Sequence, residues 1–269
     1  MEYIASSNEL RKINYAIKKG KKEIDISLDL GKTLSKIQLN KDEIILPDKT
    51  KVKPDKIKDK DKNCYIIKNN KFIKLQFFSK ETDKLYKLIP TSFRPILKIS
   101  ATSMHKMPFI EKIKKLKLNG KILDSGTGLG YTAIAASQHA KQVITIEWDP
   151  NVIEIAKLNP YSEELFTKGN IKQINADFTK EVRKFKTNEF DNIILDAGTV
   201  HQSGDFFSTN NYKEVYRVLK PNGKLFHYLP QSGIMRGRDY IGEIIKRLKT
   251  LDFKNITRDD ESSSIEAEK

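Results

Sequence analysis

The sequence contains few of the residues that bind metals or form disulfide bonds. Of its 269 residues, one is cysteine and four are histidine. The single Cys64 excludes a disulfide framework and a cysteine-based zinc site. The histidines show no spacing of the HxxxH type that a metal site would use; they are His105, His139, His201 and His227. We therefore expect no metal centre.

Long apolar runs are also missing. No segment approaches the roughly 18–20 consecutive apolar residues of a membrane-spanning helix. The opening MEYIASSNELRK has no apolar region of the kind found in secretory signals. With 38% hydrophobic residues the chain can still fill a core. These features predict a soluble, cytoplasmic protein that does not contact a membrane.

The charge that is abundant is basic, and it is unevenly placed. The formal net charge is +15, and residues 1–100 hold 24 Lys and Arg against 13 Asp and Glu. This surplus of 11 (24 − 13) leaves only +4 (15 − 11) for the remaining residues. A basic surplus suits a polyanion, because each phosphate contact releases condensed counterions. Lysine is also a common solvated surface residue, so nucleic acid binding and a merely basic surface both remain open.

The sequence pattern changes near residue 100. Before it, short apolar runs such as EIDISLDLG alternate with turn residues, and CYIIKNNKFIKLQFF predicts a hairpin that turns at Asn69 and Asn70. ELRKINYAIKK fits one short amphipathic helix. The run KVKPDKIKDKDK predicts an exposed loop whose lysines are either solvated or bind phosphate. We expect residues 1–98 to form a small β-rich module.

Residues 99–269 predict strands that alternate with helices, as in a parallel sheet covered by helices. The strand candidates are KILDSG, QVITIEW, IKQINAD, FDNIILDAG, GKLFHYLP, FKNITRDD and SSSIEAEK. The helix candidates are YTAIAASQHA, PNVIEIAKLN, YKEVYRVLK and YIGEIIKRLKTL. The expected fold is a seven-stranded, Rossmann-like α/β sandwich.

Glycines follow the first strand of this domain, in ILDSGTGLGYTA (122–133). Their G-x-G-x-G spacing differs from the G-x-G-x-x-G of dinucleotide sites, and Asp124 would repel a pyrophosphate. S-adenosylmethionine carries an ammonium and a sulfonium and no phosphate, so the same acid would attract it. Ser125, Gly126 and Gly128 are then candidate contacts of its methionine part, because glycine lets a ligand approach the backbone.

Acids also end the next three strands. Glu147 ends the second, where a carboxylate can bind both ribose hydroxyls, and Trp148 follows it as another candidate contact. Asp177 and Phe178 end the third, placed for the adenine amine and the adenine face. Asp196 ends the fourth. Because ligands bind at the carboxyl edge of such sheets, the acids of the first three strands, Asp124, Glu147 and Asp177, predict a class I methyltransferase fold that binds S-adenosylmethionine. Asp196 is a further candidate contact of this cofactor.

Five segments of this domain form a more particular set. They are ISATSMHK (99–106), ILDSGTGLGYTAIAA (122–136), IEWDPNVIEIAKLNPYSEELF (146–166), YKEVYRVLKPNGKLFHY (212–228) and MRGRD (235–239). The set closely resembles a group of predicted archaeal class I methyltransferases, whose members look like base-amine methyltransferases of RNA. The resemblance implies the same cofactor and a ribosomal or transfer RNA substrate. It implies cofactor contacts for Asp124, Gly126, Gly128, Glu147 and Asp177, and places Ser103, Met104 and His105 at the lip of the site.

One position departs from the amine-methylating relatives, whose fourth strand ends in an Asp-Pro-Pro type motif. That motif's acid and carbonyl orient the target amine. Here the sequence reads Asp196-Ala197-Gly198-Thr199, which keeps the acid and lacks the prolines that would fix the loop. Asp196 is the predicted catalytic residue, with Thr199 and His201 as candidates to supplement it; His201 equally fits a loop histidine with no role.

Other candidates follow the fourth and fifth strands. Arg236 and Arg238 in GIMRGRD could bind a phosphate or a substrate carboxylate, or form salt bridges where the next helix begins. The aromatic residues after Asp196 could stack on a base or pack as a lid over the cofactor; they are Phe206, Phe207 and Tyr212. His227, inside a strand, is predicted to be a core residue.

Three functions fit these features. The first is an RNA methyltransferase that transfers the methyl group by in-line displacement, which depends mainly on proximity and alignment. The second is an aminopropyltransferase-like polyamine synthase, although the flanks of the site (Thr199, His201, Arg236 and Arg238) lack the extra acids that a polyamine pocket needs. The third is a non-catalytic RNA-binding or assembly factor, against which the intact cofactor acids argue.

Overall fold

The computed structural model describes residues 2–104, 107–196, 204–229 and 239–269. The chain divides into two compact units. The first comprises Met1–Met104 and Lys157–Tyr161, and the second comprises His105–Ala156 and Ser162–Lys269.

Short antiparallel strands and one helix make up the first unit. In chain order they are β1 (Ile4–Ser6), α1 (Ser7–Lys18), β2 (Glu23–Ile26), β3 (Ser35–Leu39), β4 (Ile44–Ile45), β5 (Lys51–Val52), β6 (Cys64–Lys68), β7 (Lys71–Lys74), β8 (Gln76–Ser79), β9 (Lys84–Ile89), β10 (Ile96–Ile99) and β11 (Thr102–Ser103). They form three sheets, with strand orders β1-β6-β7, β2-β3-β4-β5 and β11-β10-β9-β8. The predicted boundary at residue 98 falls inside β10, which pairs with both β9 and β11.

Local sequence signals explain several of these elements. The Ser6 side chain accepts a hydrogen bond from the Glu9 backbone N–H (3.3 Å) and so begins α1. The hairpin of β6 and β7 is confirmed, and its turn residues Asn69 and Asn70 have φ of 49° and 60°. Both values are in the left-handed region that a two-residue type I′ turn requires and that asparagine tolerates.

From residue 107 onward the elements are α2 (Met107–Lys115), β12 (Lys121–Ser125), α3 (Tyr131–Ser137), β13 (Gln142–Glu147), α4 (Pro150–Lys157), α5 (Glu163–Thr167), β14 (Ile171–Asn175), α6 (Phe178–Glu181), β15 (Phe190–Leu195), α7 (Thr209–Val218), β16 (Leu219–Tyr228), α8 (Tyr240–Thr250), β17 (Lys254–Asp259) and β18 (Ser264–Glu268). Short 3₁₀ turns occur at Pro160–Ser162, Val182–Lys184 and Gly204–Phe207. All seven strands that the sequence predicted here are confirmed.

Within the described residues, these seven strands form one sheet in the order β14-β13-β12-β15-β16-β18-β17. The strands from β14 to β16 are parallel, and β18 runs antiparallel to β16 and β17. The chain first builds outward from β12 to β14 and then returns to place β15 on the other side of β12. The resulting switch point between β12 and β15 is where ligands bind in open α/β sheets.

Alternate residues of β12 face opposite sides of this sheet. Leu123 lies in a hydrophobic core with Ile144, Ile193 and Leu225. Asp124, the next residue, faces the other side, opposite Thr145 of β13 and Ile194 of β15. The parallel register therefore separates the main core from the side on which the acid lies.

Gly130, just before α3, should tolerate no side chain. Its φ is +78°, and a Cβ there would lie 2.8 Å from Leu165 Cδ2. We expect Gly130→Ala to lower the free energy of unfolding by about 1–3 kcal/mol, because the left-handed backbone is strained and Leu165 must move.

The matched control is Gly169→Ala. Nothing lies within 4 Å of that Cβ, and the φ of Gly169 is outside the left-handed region, so the change should stay below about 0.5 kcal/mol. Urea denaturation measures both variants. Equal stability of the two would contradict this account of the loop.

Candidate functional site

Three acidic residues lie together at one edge of the large sheet, and we call them the acidic cluster: Asp124, Glu147 and Asp196. Asp124 lies in β12, Glu147 ends β13, and Asp196 directly follows β15. β12 is the middle one of these three parallel strands. Their carboxyl ends therefore meet beside the switch point of the sheet.

Asp124 is the most deeply buried member, with no solvent exposure. Its Oδ2 accepts a hydrogen bond from Thr145 Oγ1 at 2.6 Å, and its Oδ1 has no hydrogen-bond partner among the described residues. Burial raises the pKa of Asp124 to about 7; the hydroxyls of Thr145 and Thr132 oppose this shift, and the charge of Glu147 adds to it. Asp124 therefore has an unused acceptor and favours a nearby positive charge.

Glu147 is held by two backbone donors. The Gly128 N–H donates to Oε2 at 2.9 Å, and the Asp149 N–H donates to Oε1 at 3.0 Å. Burial has the largest effect on the pKa of Glu147 and raises it. The two N–H donors lower this pKa, and the charge of Asp149 raises it. These bonds connect the end of β13 to the glycine loop.

Asp196 is tied to the middle strand through its backbone. Its N–H donates to the Ser125 carbonyl oxygen at 3.2 Å and lies 3.3 Å from Ser125 Oγ. Burial, followed by the charges of Asp124 and Glu147, raises the pKa of Asp196 to about 8. Within the described residues, the charges that shift the pKa values of Asp124 and Asp196 are those of other acids.

The glycine loop after β12 has left-handed backbone at alternating positions. Gly126, Gly128 and Gly130 have φ of 71°, 56° and 78°, which other residues rarely adopt. The Gly126 N–H donates to the Ile146 carbonyl oxygen at 2.9 Å, and Thr127 Oγ1 lies 2.7 Å from Thr145 Oγ1. The loop therefore folds back over the end of β13, beside the acidic cluster.

These residues fit S-adenosylmethionine. Glu147 already raises the pKa of Asp124, and both raise that of Asp196. A pyrophosphate would add negative charge there, whereas a sulfonium or ammonium would relieve the repulsion. The unpartnered Oδ1 of Asp124 and the turned glycine backbone leave polar groups available to such a ligand. The arrangement can therefore hold a cationic cofactor at the switch point.

Two predicted adenine contacts have other partners in the structure. Asp177 caps α6, since its Oδ1 accepts hydrogen bonds from the Thr179 N–H (2.9 Å) and Oγ1 (2.8 Å). Phe178 is buried, and its ring centre lies 5.4 Å from that of Phe206 in the core. Trp148, by contrast, is 65% exposed. Among these candidates, Trp148 has the accessible ring.

Several predicted site residues lie outside the described residues. They are the lip residue His105, the catalytic candidates Thr199 and His201, the loop residues Ala197 and Gly198, and the arginines Arg236 and Arg238. The other lip residues, Ser103 and Met104, belong to the first unit, where Ser103 ends β11. These roles stay predictions.

The aromatic residues after Asp196 lie in the core. Phe206, Phe207 and Tyr212 are buried, so the hypothesis that they stack on a base is wrong. His227 is confirmed as a core residue: its Nε2 lies 2.8 Å from the Tyr212 hydroxyl and its Nδ1 3.3 Å from the Leu195 carbonyl oxygen. Burial lowers the pKa of His227 to about 4, so it is neutral at pH 7.

Sequence reasoning missed two residues beside the acidic cluster. Thr145 is the one hydroxyl residue in the apolar strand QVITIE, and only the strand register places it opposite Asp124. Tyr228 ends β16 and lies next to Asp196. The residue before Tyr228 and the residue before Asp196 are partners in the parallel pairing of β16 with β15. Burial and the charge of Asp196 raise the pKa of Tyr228 to about 12. Its position at a strand end was a signal that could have identified it.

Over the four described ranges of the chain, no helix is long and apolar enough to cross a membrane. The same ranges contain no group of three or more His, Cys, Asp or Glu side chains that could hold a metal ion.

Comparisons with known proteins agree with this geometry. Residues 123–227 match the family model described as a methyltransferase domain. The uncharacterized protein MJ1233 of Methanocaldococcus jannaschii is 38% identical over 269 residues, which cover 92% of this chain and 90% of that protein. The uncharacterized methyltransferase YcgJ of Bacillus subtilis is 28% identical over 127 residues, 46% of this chain and 47% of that protein.

A solved structure shows the same fold. The crystal structure of spermidine synthase from Thermotoga maritima has a TM-score of 0.57 and 20% identity, and the match covers 73% of this chain and 74% of that chain. At this level of identity the likeness concerns the fold alone.

Asp124→Asn tests the cofactor site with a side chain of the same shape. We expect it to weaken S-adenosylmethionine binding by about 10- to 150-fold, because a hydrogen bond to a charged group contributes about 1.5–3 kcal/mol. Asp252→Asn, an exposed acid in the turn after α8, is the control and should bind like the wild type. Isothermal titration calorimetry measures both. Wild-type affinity in Asp124→Asn would show that the cluster does not bind the cofactor.

Proposed function

We propose that this chain, which belongs to the family of protein MJ1233 and is an S-adenosylmethionine-dependent methyltransferase, transfers methyl groups to a base of ribosomal or transfer RNA. The observation that carries the RNA proposal is the basic surplus of residues 1–100, which hold 24 Lys and Arg against 13 Asp and Glu. The resemblance to base-amine methyltransferases supports the same acceptor. A polyanionic substrate explains why the positive charge is concentrated in the unit that lacks the acidic cluster.

The lysine-rich loop between β5 and β6 adds a structural argument. Its backbone is held by three side chains on one face of α1. The Ser7 hydroxyl donates to the Asp61 carbonyl oxygen (2.8 Å), Arg11 donates to the carbonyl oxygens of Lys58 (3.2 Å) and Asp61 (3.0 Å), and Asn14 donates to that of Asp55 (2.8 Å). The loop is therefore positioned by α1 through its backbone.

The lysine side chains of this loop remain exposed. None of them forms an ion pair within the described part of the chain; they are Lys53, Lys56, Lys58, Lys60 and Lys62. A fixed backbone that presents free ammonium groups suits contacts with phosphates, because less conformational freedom is lost on binding.

Asp196 is the residue of the cluster best placed to act on the acceptor. S-adenosylmethionine supplies the methyl group on a positively charged sulfonium. Asp196 Oδ1 or Oδ2 accepts a hydrogen bond from the acceptor group, orients it and takes its proton. A base works best when its pKa lies near the working pH, and the pKa of Asp196 is raised to about 8. The Ser125–Asp196 backbone bond fixes the position of this carboxyl group.

Incubation with methyl-labelled S-adenosylmethionine and total archaeal RNA tests the proposal. After digestion of the RNA, mass spectrometry should find the label in one methylated nucleoside. Asp196→Asn should slow the labelling by about 10²- to 10⁴-fold, the range for a proton acceptor, and Asp252→Asn should label at the wild-type rate.

One result would contradict the RNA acceptor, and another would contradict the role of Asp196. Label that enters a protein or a polyamine fraction and not RNA would overturn the RNA acceptor. Full activity in Asp196→Asn would remove Asp196 from the chemistry and leave the acceptor unaffected.

A further inference from the structure

The sheet of β8 to β11 in the first unit has one buried face and one open face. Tyr86, Leu88 and Leu97 on one side are buried, as is Leu75, which directly precedes β8 and accepts a hydrogen bond from the Leu88 N–H. The alternate residues point to the other side, where the side chains are partly or largely exposed. We call this side the open face, and it is the part of the sheet that a partner can reach.

Two lysines lie directly opposite each other at the centre of the open face. Lys87 of β9 and Lys98 of β10 are register partners, and Gln76 and Ser103 continue the same row on the outer strands. The sequences of the four strands contain no acidic residue. Neither lysine forms an ion pair within the described ranges. Like charges directly opposite each other destabilise a sheet, so an anion between them would relieve a cost that the isolated protein carries.

An exposed aromatic ring lies in the next row of the same face. Phe78 pairs with Leu85 in the register, two positions along β8 from Gln76, and it is 56% exposed. On the other side of the lysine row, Ile89 and Ile96 are paired and half-buried. Apolar rows therefore flank a central pair of positive charges, at the spacing of about 6.6–6.8 Å that two residues span along a strand.

We propose that the open face binds single-stranded RNA, with a phosphate between Lys87 and Lys98 and an unpaired base on Phe78. The proposal rests on the proposed function and names the surface that grips the substrate. Base stacking on aromatic rings, with lysines along the backbone, is the physical basis of single-strand binding. A duplex keeps its bases stacked inside, so it cannot use the Phe78 ring.

This surface is tested by the binding of a labelled RNA to the whole 269-residue chain. The RNA has about 12 nucleotides, within the site sizes of such modules. Fluorescence anisotropy is measured over a salt series, with the single strand and with the same sequence as a duplex. Phe78→Ala should weaken single-strand binding by about 5- to 150-fold, the range for one base–aromatic stack, and should not change duplex binding. The double variant Lys87→Gln/Lys98→Gln should lower the slope of log K against log salt by about 0.7, the value for one phosphate contact on a single strand.

Matched controls remove the same groups elsewhere in the first unit. Lys21→Gln/Lys22→Gln removes two exposed lysines, and Tyr15→Ala removes a ring that is 61% exposed. Both should bind the single strand like the wild type, and thermal melting of every variant confirms that it folds.

The outcomes separate this proposal from the one on which it rests. The open-face proposal is supported if the open-face variants, and not the control variants, bind the single strand more weakly and methylate RNA more slowly. Wild-type binding in those variants, in a protein that still methylates RNA, overturns the open face and leaves the RNA function standing. Equal losses for duplex and single strand, or equal losses in the controls, also overturn it. A wild-type protein that neither binds nor methylates RNA overturns both proposals.

Discussion

The buried carboxyl group of Asp124 is the constraint on which the site depends. Burying an acid costs free energy unless it is protonated or paired. Asp124 has neither a cationic partner nor a donor for its Oδ1 within the described residues. The charge of Glu147 increases this cost for Asp124, and the charges of Asp124 and Glu147 together raise the pKa of Asp196. A positively charged cofactor completes such a site, so the unfavourable electrostatics of the free protein become a source of affinity and selectivity.

The sheet topology makes this cluster possible. The acids come from three separate stretches of chain, and parallel pairing brings the ends of their strands to one edge. Hydrogen bonds then fix the ends: Ser125 holds the backbone of Asp196, and the glycine loop holds Glu147. On the opposite face, the neutral His227 contacts the Leu195 carbonyl oxygen and fills the core without adding charge. The acidic cluster and the core thus take their side chains from opposite faces of the same strands.

The sequence predicted the strands, the cofactor and the strand-end positions of the acids, because an acid or a glycine that directly ends an apolar run is a local signal. It grouped Asp177 with Asp124 and Glu147, whereas in the structure Asp177 caps α6 and Asp196 is the third member of the cluster. Features that depend on register were not predictable. Phe178 follows a strand, as a ligand contact would, yet its ring lies in the core. The order of residues does not show whether such a ring points into the core or into the site. The basic surplus was visible as a count. The pairing of Lys87 with Lys98 required the alignment of two strands across a turn.

The most direct test of this account is the number of protons released when S-adenosylmethionine binds at pH 7. Isothermal titration calorimetry in two buffers with different ionisation enthalpies gives that number. Folding raises the pKa of Asp124 to about 7 and that of Asp196 to about 8, so the free protein holds protons there. A cationic ligand lowers both pKa values and expels protons, and affinity rises with pH from about 6 to 8. The account predicts net proton release. No release, or proton uptake, would contradict it.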